Sequence, residues 1–294
     1  MVRQIESQQG NDGAAGGPAG SSEVSGLMTS IINQDASKAA ALPKEAAENR
    51  RLQFPKGMFL RQVVDEPLSA FAEAFRSIKI AADINGAGRE NKVIGIISTV
   101  PREGKSTVAV NFAELIAHSG KRVILLDADL RNPALTRTVA PPQLRGNLLE
   151  VLNNQASLND VICADEQTGM CFIPAVIKSH VVHTAEILAS AAFDRFVDSL
   201  REKYDYVILD LPPLGPVVDA RATTRVVDAY IYVIEWGKTP KSIVQQQLRA
   251  APEIYDRLLG AVLNKSNLAV MQRYENYKGY HYEGSYYGSY HNSA

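Results

Sequence analysis

The sequence predicts an α/β fold: a doubly wound, mostly parallel sheet with helices on both faces. Two observations carry this. Short, nearly continuous apolar runs recur along the chain, among them KVIGIIS (92–98), RVILLDAD (122–129), YVILDLPP (206–213) and AYIYVIEW (229–236). Such runs suit strands buried on both faces. Helical stretches separate them, which gives the β-α-β rhythm of a parallel sheet.

Taken in order, residues 1–66 read as a flexible, low-complexity N-terminal segment. NDGAAGGPAGSS is small and polar and ASKAAALPKEAAENRR is Ala-rich and charged. Neither buries enough apolar surface to offset the entropy of ordering. A folded domain is expected over 67–270. It opens with a helix in DEPLSAFAEAFRSIKIAADI, where Pro67 suits the first turn. Leu68, Phe71, Phe75 and Ile78 recur there at helical spacing, with Glu73, Arg76 and Lys79 mostly off that face. That charged stripe is either a solvated face or a contact for another copy. KVIGIIS is the first strand, and STVAVNFAELIAHSG is a helix stopped by Gly120. RVILLDAD is the next strand. GNLLEVLNN and SLNDVI are short helices, and CFIPAV is a strand. AAFDRFVDSLREKY is an amphipathic helix feeding YVILDLPP. AYIYVIEW and GAVLNK close the sheet, joined by one helix over KSIVQQQLRAAPEIYDRLL. Residues 271–294 form a tyrosine-rich tail.

Composition narrows the function classes. The formal net charge of −1 supplies no field favouring nucleic acid or an acidic membrane. The two cysteines, Cys163 and Cys171, make no disulfide framework and read as reduced thiols. No apolar run reaches the roughly 20 residues of a membrane helix. The start MVRQIESQQGNDGAAGG has no apolar core of a secretory signal. The chain is expected to be soluble as given, including as a piece of a longer membrane protein.

The chemistry is concentrated in IISTVPREGKSTVAVNFA. A buried strand enters a loop ending in Gly104-Lys105-Ser106-Thr107, and a helix follows. That is the setting of a phosphate-binding loop, whose backbone N–H groups and helix N-terminus wrap a polyphosphate. Lys105 reaches the β- and γ-phosphates, Ser106 ligates Mg²⁺ and Thr107 supports the α-phosphate. Pro101, Arg102 and Glu103 complete the loop. The common pattern starts with glycine where this chain has Thr99, so the loop is a variant. Asp127, Asp129 and Asp210 end two other buried strands, where ligands of open α/β sheets bind. Carboxylates there suit Mg²⁺, a hard ion taking oxygen ligands. One such aspartate would say little; three beside a Gly-Lys-Ser loop form a constellation.

Together, STVPREGKST, LLDADLRNP and YVILDLPP resemble the Walker A, A′ and B motifs of the bacterial protein-tyrosine kinases, the cytoplasmic kinase domains of polysaccharide co-polymerases. The likeness runs over about residues 60–294 and includes the terminal tyrosines. It implies ATP and Mg²⁺ as cofactors and an autokinase controlling exopolysaccharide synthesis, chain length and export. Lys105, Ser106 and Thr107 would bind ATP and Mg²⁺, and Asp129 and Asp210 would hold the metal. Asp127 would help deprotonate the attacking phenol; the resemblance leaves open an exchange of roles between Asp127 and Asp129. EAFRSIK resembles the family's ring-assembly motif, placing Glu73, Arg76 and Lys79 at a homo-oligomer contact. Lysine stands there for the motif's last arginine and cannot offer the bidentate fork. The other implied partners are a transmembrane activator, a cognate tyrosine phosphatase and polysaccharide synthesis and export proteins. The implied location is cytoplasmic, at the inner face of the cell membrane.

The tail supplies Tyr274, Tyr277, Tyr280, Tyr282, Tyr286, Tyr287 and Tyr290 as phospho-acceptors. About 20 extended residues span at most ~70 Å, enough to reach a neighbour's site. Elsewhere, His180, His183 and Glu186 have spacing open to a metal but suit a surface loop or helix start better. Trp236 follows a buried strand at a place open to the nucleotide base but suits sheet-edge packing better, and Asp219 suits a helix cap. Asn264, at the end of the last strand, lies near the adenine by analogy with related ATPases. Two alternatives share the fold: a partition- or septum-type ATPase switch, and a non-catalytic ATP-binding scaffold. The former carry a lysine where this chain has Val100, and they lack a polytyrosine ending.

Overall fold

A computed structural model describes residues 50–85, 92–144, 146–175, 181–267 and 270. A seven-stranded sheet runs through them: β1 (Lys92–Ser98), β2 (Val123–Asp127), β3 (Cys163–Ala164), β4 (Cys171–Ile173), β5 (Tyr206–Asp210), β6 (Ala229–Glu235) and β7 (Leu258–Asn264). Their order is β3-β4-β2-β5-β1-β6-β7. Every pairing is parallel except the short β3–β4 ladder.

Period-two alternation assigns strand residues to two cores. Ile94, Ile96, Leu125, Ile208, Ile231 and Val233 face one side, with Val108, Phe112 and Ile116 of the helix Lys105–His118 (α3 below). Val93, Ile97, Ile124, Leu126, Val207 and Leu209 face the other, with Phe193, Val197 and Leu200 of the helix Ala191–Arg201. Burial on both faces is why these strands read as unbroken apolar runs.

The helices of the described residues, in chain order, are α1 (Gln62–Asp65), α2 (Ala70–Asn85), α3 (Lys105–His118), α4 (Ala134–Val139), α5 (Leu148–Leu152), α6 (Leu158–Val161), α7 (Thr184–Leu188), α8 (Ala191–Arg201), α9 (Asp219–Ala222), α10 (Lys241–Ala250) and α11 (Pro252–Tyr255). α3 ends as expected: Gly120 stands at φ +81° and its N–H bonds Ala117 O. Asn147 caps α5, accepting from Leu149 N and Glu150 N.

Four expectations are corrected. The ordered domain reaches upstream of residue 67: Leu52, Leu60, Val63 and Val64 are buried in the first core. Arg51 bridges Ala164 beside β3, and Leu52 N donates to Ala164 O at 3.0 Å. Asn111 of α3 holds the same segment, donating to Phe59 O and accepting from Val63 N. Secondly, α2 starts at Ala70, not at Pro67; Ser69 Oγ accepts from Ala72 N and stops the helix there. Leu68 is consequently exposed, while Phe75 is buried and Phe71 and Ile78 flank it. Thirdly, one expected helix is two, α10 and α11, because Pro252 takes the first position of a new helix. Lastly, Asp219 opens α9 without capping it through its side chain; its carboxylate accepts from Arg131 and Thr184. Cys163 is buried and Cys171 half-buried, both free thiols.

Candidate active site

Residues 99–104 turn from β1 into α3. Arg102 and Gly104 take φ of +71° and +93°, whereas Thr99 is outside the left-handed region. The loop therefore needs glycine at 104 and not at 99, which is how Thr99 is accommodated. A Cβ at Gly104 would stand 2.1 Å from Asn264 Nδ2. Asn264 donates instead to Glu103 O at 2.8 Å, so the end of β7 closes on the loop. Lys265 Nζ reaches Arg102 O at 2.5 Å and Glu235 Oε2 at 3.2 Å.

Glu103 is the loop's internal brace. Its side chain is buried. Oε2 accepts from Val100 N at 2.7 Å, and Oε1 accepts from Glu235 N at 3.1 Å and from the Thr239 hydroxyl. One carboxylate thus fixes the loop both to itself and to the end of β6.

Lys105, the first residue of α3, turns inward and is 9% exposed. Its ammonium meets Asp129 Oδ2 and Asp210 Oδ1 at 3.0 Å each, with Ser106 Oγ at 3.4 Å. Asp127 and Asp210 are register partners on adjacent strands, so both carboxylates leave the sheet at one edge. Asp127 Oδ2 accepts from Thr136 N at 2.8 Å and Thr136 Oγ1 at 2.6 Å, and Oδ1 accepts from Asp129 N at 3.3 Å. Thr136 Oγ1 in turn accepts from Ala175 N at 2.9 Å.

This crowding sets the charges. Burial, then the Asp210 charge, pushes the Asp127 carboxyl up to about 7, against pulls from Thr136 and Lys105. Burial also raises Asp210, with Lys105 opposing. Burial alone would lower Lys105, but Asp210, then Asp129 and Asp127, more than reverse it, and the ammonium stays charged.

The structure therefore brings together Lys105, Ser106, Asp127, Asp129 and Asp210, with Glu103, Gly104 and Asn264 shaping the loop and Thr107 in the first turn of α3. Pro101 and Arg102 are exposed on its outer side. Glu73, Arg76 and Lys79 are on α2, apart from the loop in sequence. Arg76 pairs with Glu73 at 2.7 Å and bonds Pro67 O, and Lys79 pairs with Asp83 at 2.9 Å. The seven tail tyrosines and His180 lie outside the described residues. His183 is exposed against Glu186 at 3.5 Å. Sequence reasoning gave no role to Thr136, Thr239 or Glu235; Glu235 and Thr239 meet Glu103 across more than 130 residues, and Thr136 meets Asp127 only nine residues on but through a turn that leaves no local pattern.

An AAA domain family model matches residues 91–259. A tyrosine-protein kinase, YwqD of Bacillus subtilis (strain 168), is 32% identical over 72% of this chain and 88% of its own length. The succinoglycan biosynthesis transport protein ExoP of Rhizobium meliloti (strain 1021) is 42% identical over 78% of this chain, which spans 29% of that longer protein. The kinase domain of the Escherichia coli tyrosine kinase ETK superposes with a TM-score of 0.62 at 26% identity, over 73% of this chain and 82% of that one. On these likenesses and on the loop built around Lys105, the chain belongs to the bacterial protein-tyrosine kinase family.

Proposed function

We propose that the chain is an ATP-dependent autokinase that phosphorylates the tyrosine cluster 274–290 of an adjacent copy, and so regulates exopolysaccharide synthesis, chain length and export. The observation carrying this reading is the convergence of Asp129 and Asp210 on the buried Lys105 ammonium, beside a glycine-turned loop at a helix N-terminus.

The residues fit a nucleotide with Mg²⁺. Asp210 Oδ2 is buried and has no hydrogen-bond partner among the described residues, a costly state for a carboxylate oxygen. Among the described residues no three His, Cys, Asp or Glu side chains form a complete metal cage. Mg²⁺ needs none, since it takes one or two carboxylates, keeps waters and adds substrate phosphate oxygens. Ser106, Asp129 and Asp210 are the residues that would hold it. Bound Mg²⁺ supplies neutralisation of charge on the transferring phosphoryl oxygens. Lys105 binds and orients the β- and γ-phosphates, and the first turn of α3 offers N–H groups to them. Asp127, with its carboxyl near neutrality, is suited to take the phenol proton. Asn264, which donates to Glu103 O, would bound the base by analogy with related ATPases.

The same reading places Glu73, Arg76 and Lys79 of α2 at a ring contact between copies. It assigns membrane attachment at the inner face of the cell membrane to a transmembrane activator, and dephosphorylation to a cognate phosphatase. ExoP, by its name a biosynthesis and transport protein, motivates the link to polysaccharide. The test is incubation of purified protein with ATP and Mg²⁺, followed by mapping of phosphate by mass spectrometry. Phosphotyrosine within 274–290 is expected; label confined to Ser or Thr, or none, refutes the reading.

A further inference from the structure

Beyond the loop and its aspartates, one ion pair, between the half-exposed Arg131 and the buried Asp219, ties the site's walls together. Asp219 opens α9 with its side chain wholly out of solvent. Arg131 meets it as a fork, Nε to Oδ2 and Nη2 to Oδ1, each at 2.9 Å. Thr184 Oγ1 of α7 donates to Oδ2 at 2.5 Å.

Each partner is anchored to a different wall. Arg131 belongs to the turn leaving β2. In that turn Asn132 N donates to Asp129 Oδ1 at 3.1 Å, which leaves Asp129 Oδ2 for Lys105 at 3.0 Å. Asp219 ends the loop leaving β5, which begins at Asp210. That loop is fixed at its middle: Leu214 N donates to Ser98 O at 2.8 Å and Gly215 N to Thr99 O at 3.0 Å. A Cβ on Gly215 would stand 2.6 Å from Thr99 O, so the loop and the phosphate-binding turn are in direct backbone contact. Ala128 N donates to Asp210 O at 2.9 Å at the base of these two walls, and the Arg131–Asp219 fork adds a second tie farther out, from this pair of loops to the turn that carries Asp129.

We propose that Arg131 and Asp219 are positioning residues: their fork sets the spacing of Asp129 and Asp210 around Lys105, and so the affinity of the site for the divalent ion that accompanies ATP. This rests on the nucleotide reading above. A planar, two-pronged donor fixes both distance and angle, which a lysine point charge does not. Groups that orient metal-binding carboxylates commonly change metal affinity or activity by about 10–100-fold when removed.

The test is the Mg²⁺ concentration giving half-maximal uptake of ATP, measured by calorimetry on the full chain, with thermal midpoints recorded alongside. Arg131→Lys, Arg131→Met and Asp219→Asn are each expected to raise it by about 10–100-fold. Saturating Mg²⁺ restores ATP uptake and, in the autokinase assay, kcat close to the parent's. Asp219→Asn keeps the shape of the side chain and an acceptor for Thr184, and it is read alone if the arginine variants do not fold. Variants that melt lower but keep the parental Mg²⁺ requirement show a purely structural pair and overturn the inference, leaving the nucleotide reading intact. A parent that takes up no ATP at any Mg²⁺ concentration overturns both.

Discussion

Glu103→Gln tests whether the phosphate-binding loop owes its shape to an internal carboxylate. The substitution preserves size, so no cavity or overpacking enters. Glu103 accepts from Val100 N through one oxygen and from Glu235 N and Thr239 Oγ1 through the other. An amide has one oxygen. If it stays on the Glu235 side, the NH₂ group faces Val100 N, donor against donor, where the present separation is 2.7 Å. If it flips, two donors lose their acceptor. At least one part-buried N–H is stranded, at about 1–3 kcal/mol, and the bonds that survive lose their charge assistance, about half their strength. The sum is about 2–4 kcal/mol, shared between folding and binding. A loop that keeps its shape shows the loss in stability. A loop that relaxes shows it in nucleotide affinity, at about tenfold per 1.4 kcal/mol. Urea melts and calorimetric titration with Mg²⁺ and ATP on the same preparation give both parts. Thr239→Val, which removes one donor to Glu103 and leaves both carboxylate oxygens in place, is expected to lose about 1 kcal/mol. A Glu103→Gln protein within about 0.5 kcal/mol of the parent, the range of ordinary surface changes, and with parental affinity, refutes the reasoning.

Three further outcomes follow from the same groups. Lys105→Met leaves Asp129 and Asp210 facing each other without their shared cation; tyrosine phosphate on immunoblots should fall to background, and one of the carboxyls should take up a proton so that the fold persists near neutrality. Asp127 holds its proton more tightly folded, to about 7, than unfolded, near 3.8, so its contribution to stability is complete below about pH 4 and is lost as pH rises through about 7. Urea midpoints for the nucleotide-free protein should fall over that window, and Asp127→Asn should flatten the fall while abolishing tyrosine labelling. Glu114 of α3 is buried, and burial, then Asp165, pushes its carboxyl up to about 8 against a smaller pull from Thr168. Its contribution is therefore lost as pH rises through about 8, and Glu114→Gln should resist denaturant better than the parent above about pH 8.

Much of this architecture is legible in the sequence because its signals are local. Strands such as VILLD and YVILD are apolar on both faces, so they need no partner to be recognised. Lys105 is marked by the Gly-Lys-Ser spacing, and Asp127, Asp129 and Asp210 by their place at strand ends. What escaped depends on distant partners. Leu52, Leu60, Val63 and Val64 look like a polar linker with stray apolar residues until Asn111 and the rim of β3 receive them. The two-residue β3 is too short for any periodicity. Glu103 reads as an ordinary loop glutamate, since the groups it braces lie at Glu235 and Thr239. Arg131 and Asp219 are separated by 88 residues, and no spacing rule links them.

The docking of residues 50–66 has a practical consequence for anyone who trims the gene. A shortened version beginning at the first long helix would remove Leu52, Leu60, Val63 and Val64 from the first core, leave Asn111 without its partners at Phe59 and Val63, and unseal the rim of the sheet at Ala164. Uncovered strand rims and greasy patches invite self-association. Poor behaviour of such a truncation would then reflect where the cut was made, and expression vectors should keep the chain from Arg50 onward.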